Sequence, residues 1–299
     1  MLNEKLAYKE LKKQYHYVLM KSEKQKYMPI KEVFVIGKIN GVATITGTHM
    51  EGTTLNGLKV KKHIIVDDEE SKTYEDVFLY DAIGKMIDEH HDDNFTPIRC
   101  GLMTCIAIEE ACKLLKLPCK NLSVGFIGNG NINQHNARAI QSIFGLKRCI
   151  IHGSANNRGK NKDKFSKAEI DHNCELLNEC DVIVSCTSGC DGKDMISADI
   201  LYKPKIIIAL DSGYVLDESF RKECDSFTDY VEQLERYYDE EFAFDKKRYK
   251  LKQLCKDIQV EKSRLCVYLF GIGFADAVVA ETMYNKKRLI DYEKQIHKN

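Results

Sequence analysis

A glycine-rich turn is the first feature of the chain that could do chemistry. Residues 128–133 (GNGNIN) follow the apolar run 122–127 and precede a helical pattern. In a strand–turn–helix unit the first glycine allows a tight turn and the second lets the backbone approach a diphosphate. The helix start then offers free N–H groups. The pattern predicts a dinucleotide site formed by Gly128, Gly130, Asn131 and Ile132. Asn133 occupies the position where glycine or alanine is usual.

The loop after the next strand bears on which nicotinamide cofactor is bound. NAD sites normally carry an acidic residue there, which binds the ribose 2′-OH. In this chain residues 151–162 contain no Asp or Glu, and the first acidic residue after the strand is Asp163. Ser154, Asn157 and Arg158 could instead receive a 2′-phosphate, which favours NADP slightly over NAD. The alternative is a solvated basic loop. Further along, Thr187 and Ser188 follow the apolar run 181–185, and small hydroxyl residues there either line the cofactor groove or form a turn.

Two cationic residues are candidates for binding a carboxylate. Arg99 precedes a helical pattern that starts near Met103. A guanidinium beside free helix N–H groups can bind a carboxylate through two hydrogen bonds, although a surface salt bridge would also explain this residue. Lys59 lies in an alternating strand, on the face opposite Leu58 and Val60. It therefore points either into a cleft or along a solvent-facing row of lysines.

Asp211 is the candidate acid–base group. It directly follows the apolar run 206–210. In open α/β sheets ligands bind outside the carboxyl ends of the strands, so an aspartate there is well placed to meet a substrate beside the nicotinamide. A helix or turn cap is the competing interpretation.

The surrounding patterns predict two kinds of sheet. Alternating runs on both sides of Asn40-Gly41 predict a hairpin, and further strands extend an antiparallel sheet over about 30–81. From residue 120 onward, short continuous apolar strands alternate with helical stretches, which is typical of a parallel sheet covered on both faces. The fold class predicted is therefore α/β: a Rossmann-type doubly wound parallel sheet plus a second α+β domain.

Composition narrows the function classes. The 299 residues carry 45 basic and 45 acidic side chains, so nothing indicates nucleic acid as a partner. No long apolar run indicates a membrane span, and the first residues lack the apolar core of a signal peptide. Twelve cysteines without a Cys-x-x-Cys pair favour reduced thiols in a cytoplasmic protein. No metal site is assigned.

The order of several short motifs is similar to that of a known family. The motifs are Met28-Pro29, Gly57-x-Lys59, Arg99-x-Gly101, Gly128-x-Gly130, Thr187-Ser188, Asp211 and Gly271-Ile272-Gly273-Phe274-Ala275. Over about 26–285 the chain resembles the ornithine cyclodeaminase/mu-crystallin family. The resemblance implies a dinucleotide-binding domain at 120–262, inserted into a substrate-binding domain formed by 1–119 and 263–299. It also implies a homodimer formed through the substrate domain.

The resemblance implies roles for individual residues. Lys59 and Arg99 match the residues that bind the substrate carboxylate, and Asp211 matches the catalytic aspartate. Lys59 is a second candidate for a catalytic residue. Gly273, in the late motif, is grouped with the cofactor-binding residues.

Besides Asn133, the chain departs from the family pattern at Cys100 and Leu102, where Thr and Ala are usual, and at two positions that bear on substrate and site. Lys26 occupies the position of an acid that receives the distal amine of ornithine in cyclodeaminases. Its ammonium would repel that amine by roughly 4 kcal/mol at about 4 Å and an effective dielectric constant of about 20. The late motif normally has an aspartate at the position of Val278, whereas here Asp276 lies two residues earlier.

Together these features predict an NAD(P)-dependent enzyme that moves a hydride between nicotinamide and the α-carbon of an amino or imino acid. This is the chemistry of ketimine reductases and amino-acid dehydrogenases. One alternative is an ornithine cyclodeaminase, which uses catalytic NAD and releases proline and ammonia. Another is a non-catalytic protein that binds NAD(P)H or a small ligand.

Overall fold

The chain divides into two compact units in a computed structural model. The antiparallel unit comprises Met1–Arg99 and Ile272–Asn299, and the parallel unit comprises Cys100–Gly271. The structure describes residues 3–20, 26–27, 32–35, 41–50, 56–67, 70–81, 83–91, 94–153, 162–165, 167–187, 196–211, 213, 215–231, 251–255 and 259–296. Among these residues no helix is both long enough and apolar enough to span a membrane.

The elements alternate differently in the two halves of the chain. The first half contains α1 (Glu4–Met20), β1 (Lys26–Tyr27), β2 (Glu32–Val35), β3 (Gly41–Met50), β4 (Asn56–Asp67), β5 (Glu70–Tyr80), β6 (Met86–His91) and α2 (Phe95–Leu114). The second half contains β7 (Leu122–Ile127), α3 (Asn131–Ile143), β8 (Leu146–His152), β9 (Ala168–Asp171), β10 (Val182–Ser185), β11 (Ile206–Ala209), α4 (Glu218–Lys222), β12 (Cys224–Thr228), β13 (Lys252–Gln253), β14 (Arg264–Tyr268) and α5 (Gly273–Ile296).

The antiparallel unit is built on the sheet β1-β3-β4-β5-β6, with β2 also paired to β3. The predicted antiparallel pairing of these two strands is confirmed, with Val35 of β2 opposite Val42 of β3. A two-residue turn at Asn40-Gly41 does not fit this register, because six residues, 36–41, separate the two partners and Gly41 already belongs to β3. Residues 36–40 lie outside the described residues. Helix α5 packs on β3, β4 and β5. Gly57 allows this close packing, because a Cβ there would lie 2.7 Å from the Cβ of Ala277. The missing side chain thus brings the start of α5 down onto β4.

The parallel unit contains the sheet β13-β12-β14-β11-β10-β7-β8-β9, in which every pair of strands is parallel. Strands β7, β10, β11, β12 and β14 are buried along their whole length. Their continuous apolar character predicted this arrangement, since a parallel sheet is covered on both faces. The predicted fold class, a Rossmann-type parallel sheet plus a second α+β region, is confirmed.

The units begin and end at different residues from the predicted domains. Strand β14 lies between β11 and β12 in the middle of the parallel sheet, so a boundary at 262 leaves out a central strand. At the other end, the parallel unit begins at Cys100 rather than at residue 120. The division falls within α2, because from Cys100 onward this helix packs with α3: a Cβ on Gly101 would lie 3.0 Å from the carbonyl oxygen of His135.

Helix α2 also begins earlier than the predicted position near Met103. Its first residue is Phe95, and Pro97 lies in the first turn. Proline is accepted there because the first N–H groups of a helix have no partner within the helix. Arg99 is consequently inside the first turns of α2 rather than in front of the helix.

Candidate functional site

Lys59 is buried in the antiparallel unit, with 5% of its surface exposed. It therefore does not belong to a solvent-facing row of lysines. Its ammonium donates hydrogen bonds to Thr96 Oγ1 and to Asp276 Oδ1, the latter at 3.2 Å. It also lies 5.6 Å from the ring centroid of Phe95. Strand β4 and the first turn of α2 thus fix the position of this cation.

Asp276 joins the two cationic residues that the sequence singles out. Arg99 Nε donates to Asp276 Oδ1 at 3.1 Å, and this is the same oxygen that Lys59 contacts. Asp276 lies in the first turn of α5 and is only 3% exposed. One carboxylate oxygen is therefore bound by Lys59 and Arg99 together, so the two side chains are close enough to share a carboxylate.

A second carboxylate completes this group. Glu75, on β5, accepts a hydrogen bond from the backbone N–H of Thr96 at 2.7 Å, which satisfies one of the unpaired donors at the start of α2. Its Oε2 also lies 3.9 Å from Lys59 Nζ. We refer to Lys59, Glu75, Arg99 and Asp276 as the charged cluster. With all four groups ionised, its formal charges cancel.

The cations determine the ionisation of Asp276. Burial alone would raise the pKa of this carboxyl, but the charges of Lys59 and Arg99 and their hydrogen bonds lower the pKa below its ordinary value. Asp276 is therefore an anion at neutral pH, and the cluster holds its ion pairs there.

The glycine-rich turn lies at the carboxyl end of β7 in the parallel unit. Gly128 has φ +92°, and a Cβ there would collide with the carbonyl oxygen of Cys186. Its N–H donates to His152 O at 2.8 Å. Gly130 is the N-cap of α3, with φ −70° and ψ 175°, and a Cβ on it would meet no atom within 4 Å. The first glycine is thus required by tight packing, and the second faces open space.

Side-chain amides from the first turn of α3 bind the carbonyl groups of this turn. Asn133 Nδ2 donates to Ile127 O at 3.0 Å and to Gly128 O at 2.9 Å. Gln134 Nε2 donates to Asn129 O at 3.2 Å. Asn133, which departs from the usual small residue, is therefore fully buried and hydrogen-bonded rather than merely tolerated.

Asp211 lies just beyond β11, at the same edge of the sheet. Its Oδ2 accepts hydrogen bonds from Ser185 Oγ at 2.5 Å, from Thr187 N at 3.0 Å and from Thr187 Oγ1 at 3.2 Å. Its Oδ1 accepts from Gly213 N at 3.1 Å. The carboxylate thus ties the end of β10 to the turn after β11, as the capping interpretation expects. Two hydroxyl groups also lie in contact with it, and the catalytic role stays a prediction.

The other predicted site residues lie in either of the two units or outside the described part of the chain. Asn131 and Ile132 are the first two residues of α3, next to the glycine-rich turn. Gly273 is the first residue of α5, in the antiparallel unit. For Lys26 the structure describes the backbone only, paired with Met50. The predicted cofactor residues outside the described part of the chain are Ser154, Asn157, Arg158 and Ser188.

Sequence patterns assigned no role to Glu75 or Asp276. Asp276 was visible as an aspartate displaced from its expected position, but no spacing links it to Lys59 and Arg99, which precede it by 217 and 177 residues. Alternation could have identified Glu75 only with the strand register in hand: it lies two residues from Val77, the partner of Lys59, and therefore on the same face of the sheet. Both residues were missed because their contacts join segments that are distant in sequence and that only the folded chain brings together.

Comparison with known proteins identifies the fold. No protein-family model and no curated protein matches the sequence. Among solved structures, Δ1-pyrroline-2-carboxylate reductase of Thermococcus litoralis, in complex with NADH and L-proline, is 14% identical. The match covers 96% of this chain and 94% of that chain with a TM-score of 0.73. An archaeal alanine dehydrogenase dimer with bound NAD is 18% identical over 97% and 93% of the two chains, with a TM-score of 0.74.

A third structure extends the range of activities found with this fold. The probable ornithine cyclodeaminase from Bordetella pertussis Tohama I is 16% identical over 94% of this chain and 92% of that chain, with a TM-score of 0.72. The chain has the ornithine cyclodeaminase fold. The predicted resemblance is thereby confirmed at the level of the fold, and identities this low carry the likeness no further.

Proposed function

We propose that the protein is an NAD(P)-dependent oxidoreductase acting between an α-amino acid and its imine. The observation that carries the proposal is the contact of Lys59 and Arg99 with a single carboxylate oxygen, in a fold whose solved examples include complexes with NADH and L-proline and with NAD. Two cations that share Asp276 Oδ1 can also share the carboxylate of a substrate.

Each unit contributes a different task to this proposal. In the antiparallel unit, Lys59 and Arg99 bind and orient the α-carboxylate, and correct orientation can contribute about 7–11 kcal/mol to lowering the barrier. In the parallel unit, Gly128, Gly130 and the first N–H groups of α3 hold the diphosphate of the cofactor. The nicotinamide, when bound, supplies or accepts the hydride at the α-carbon.

Asp211 exchanges the proton at the substrate nitrogen in this proposal. Its Oδ2 contacts the hydroxyl groups of Ser185 and Thr187, which can accept and pass on a proton. A well-placed acid–base group is worth about 10²–10⁴-fold in rate. Lys59 lies among acceptor groups and is the second candidate for this transfer.

Several finer features belong to the same proposal. We infer a slight preference for NADP, from the sequence around Ser154, Asn157 and Arg158. We also infer a homodimer, supported by the dimeric archaeal alanine dehydrogenase, and a cytoplasmic location, supported by the free thiols of the described cysteines. The domain roles, substrate binding and dimerisation for the antiparallel unit and cofactor binding for the parallel unit, are part of it.

Ornithine cyclodeamination is the second candidate function, favoured by the fold match to a probable ornithine cyclodeaminase. It would consume no cofactor, because the hydride returns to the cyclic imine after ammonia leaves. Ammonia and proline formed from ornithine without a stoichiometric change in NADH would identify it. The residue Lys26, a cation where an acid is expected, argues against ornithine as the substrate.

Cofactor titration followed by an imine screen tests the proposal. We expect micromolar binding of NADH or NADPH by cofactor fluorescence, followed by NAD(P)H-dependent reduction of a cyclic or α-imino acid. Asp211→Asn should lose turnover by about 10²-fold or more while keeping the cofactor affinity of the wild type. Binding without turnover of any amino or imino acid would favour a non-catalytic binding protein. Unchanged turnover in Asp211→Asn would remove Asp211 from the mechanism.

A further inference from the structure

The glycine-rich turn is held by a chain of buried side-chain amides that the usual motif does not contain. Asn133 binds the carbonyl oxygens of Ile127 and Gly128, and Gln134 binds that of Asn129. Three successive carbonyl groups of the turn are therefore bound by two consecutive residues of α3. In the usual motif the third small residue allows close packing of helix and strand, and it makes no such contacts.

The amide of Asn133 is itself fixed from behind. Asn136 Nδ2 donates to Asn133 Oδ1 at 2.9 Å, and Thr104 Oγ1 donates to Asn136 Oδ1 at 3.1 Å. Thr104, Asn133 and Asn136 are each fully buried. Because Asn136 donates to the oxygen of Asn133, the amide nitrogen of Asn133 must face the carbonyl groups of the turn. This network fixes one orientation of the Asn133 side chain.

Binding the carbonyl groups also orients the N–H groups of the turn. In a trans peptide the N–H points away from the carbonyl oxygen of the same peptide plane. The Gly128 N–H follows this rule, since it donates to His152 O on β8 while Ile127 O faces Asn133. By the same geometry the N–H groups of Asn129 and Gly130 point away from the amides of α3. Backbone N–H groups turned outward from such a loop are the groups that bind a diphosphate.

We propose that Asn133 and Gln134 are positioning residues that preset the glycine-rich turn for the diphosphate of a dinucleotide. The inference rests on the nicotinamide cofactor of the proposed function. It goes further by assigning affinity for the diphosphate to two side chains that do not themselves touch it. The amide network takes over the role that close packing around a small third residue has in the usual motif.

Asn133→Ala is the decisive variant because alanine is the ordinary residue at this position. If Asn133 only fills space, alanine should bind NADH as well as or better than asparagine. If its amide positions the turn, the dissociation constant for NADH should rise by about tenfold, which corresponds to about 1.4 kcal/mol. The turnover number at saturating cofactor should stay close to that of the wild type, because bound cofactor has already ordered the turn.

Asn178→Ala is the matched control for lost stability. Asn178 is also a buried asparagine whose amide donates to two backbone carbonyls, those of Cys174 and Ile200, at 3.3 and 2.8 Å. It should lower the unfolding midpoint and leave the NADH dissociation constant unchanged. If Asn178→Ala weakens NADH binding as much as Asn133→Ala does, the effect is general destabilisation and the inference fails.

Gln134→Met provides a second variant if Asn133→Ala does not fold. Methionine keeps the length of the side chain and removes the donor to Asn129 O, so we expect about threefold weaker NADH binding. Wild-type protein that binds NADH, together with both variants binding it equally well, would overturn this inference alone. Wild-type protein that binds neither NADH nor NADPH would overturn the proposed function and this inference with it.

Discussion

In the proposed function the charged cluster of the antiparallel unit and the glycine-rich turn of the parallel unit each bind an anion, but the two regions are held by different forces. In the cluster, Lys59 and Arg99 are paired with two buried carboxylates. In the turn, backbone groups are held by the neutral amides of Asn133 and Gln134. One region relies on formal charges and the other on oriented dipoles.

This difference determines how each region is stabilised in the unliganded protein. A buried cation without a partner is strongly destabilising, so Lys59 and Arg99 need Asp276 and Glu75 in the unliganded protein. The turn has no such requirement, because the amides of Asn133 and Gln134 are neutral and are already paired with carbonyl groups of the turn. A substitution in the cluster should therefore affect stability and substrate binding together. A substitution in the turn can affect cofactor binding alone.

Among substitutions in these two regions, Lys59→Met should have the largest effect on activity. It removes one of the two cations proposed to bind the substrate carboxylate, and a misplaced substrate costs roughly 100-fold in rate. We expect kcat/KM for the imino acid to fall by at least this factor while NADH binding stays at the wild-type level. Lys113→Met, which changes an exposed lysine on α2, is the control and should be unaffected. Wild-type kcat/KM in Lys59→Met would contradict the assigned role.

Asp276→Asn should have the largest effect on stability. It leaves Lys59 and Arg99 without their shared anion, and breaking a buried ion pair costs about 3–5 kcal/mol in the free energy of unfolding. The pKa of Asp276 is lowered in the folded protein. Its ionised carboxylate therefore stabilises the fold at pH values above its pKa in the unfolded chain, about 3.9, and this stabilisation is lost as the pH falls through its pKa in the folded protein. The difference between variant and wild type should thus be large at pH 7 and shrink below about pH 4.

The parallel unit supplies a matched control for Asp276→Asn. Asp225 is also buried and accepts from Lys252 Nζ at 2.9 Å, and its pKa is likewise lowered, against the effect of burial, by Lys252 and by backbone donors. Asp225→Asn should destabilise the protein without changing KM for the imino acid, whereas Asp276→Asn should change both. Equal KM values in the two variants would separate Asp276 from substrate recognition. Chemical unfolding from pH 3 to 8 and steady-state kinetics provide the measurements.

The elements that could be predicted from the sequence are those fixed by local patterns. The pairing of β2 with β3 and the buried strand at residues 122–127 were predicted because alternation and continuous apolar runs reflect how each strand is covered. The place of β14 was not predicted, since strand order depends on pairing between distant segments. The start of α2 was missed because a proline in the first turn and a proline before a helix look alike in sequence.

The same distinction between local patterns and contacts of distant segments applies to the candidate site. The geometry of Gly128 could be anticipated because a tight strand–turn–helix connection requires φ > 0. The partner of Lys59 and Arg99 could not, because the contact with Asp276 depends on α5 reaching β4 across Gly57. Asp211 shows the limit in another way. Its position beyond β11 was visible, but three of its four donors belong to Ser185 and Thr187, which only the sheet brings close to it. The fourth donor is Gly213 N, two residues along the chain.

Two glycine substitutions in the turn give the sharpest test of the contrast, and Gly130→Ala has the smallest expected effect on stability. Gly128→Ala should destabilise the protein, because φ is +92° and the new Cβ would meet Cys186 O. Gly130→Ala has an ordinary φ of −70° and open space around its Cβ. The free energy of unfolding should therefore fall by no more than about 1 kcal/mol, the cost of replacing glycine by alanine at an N-cap. The same methyl group would occupy the space where the backbone is proposed to approach the diphosphate. Gly130→Ala should therefore weaken NADH binding with only this small loss of stability, whereas wild-type affinity would mean that the cofactor does not approach Gly130. Stability and affinity can therefore be changed separately in the turn. They cannot be changed separately in the charged cluster, because there the groups proposed to bind the substrate also neutralise one another.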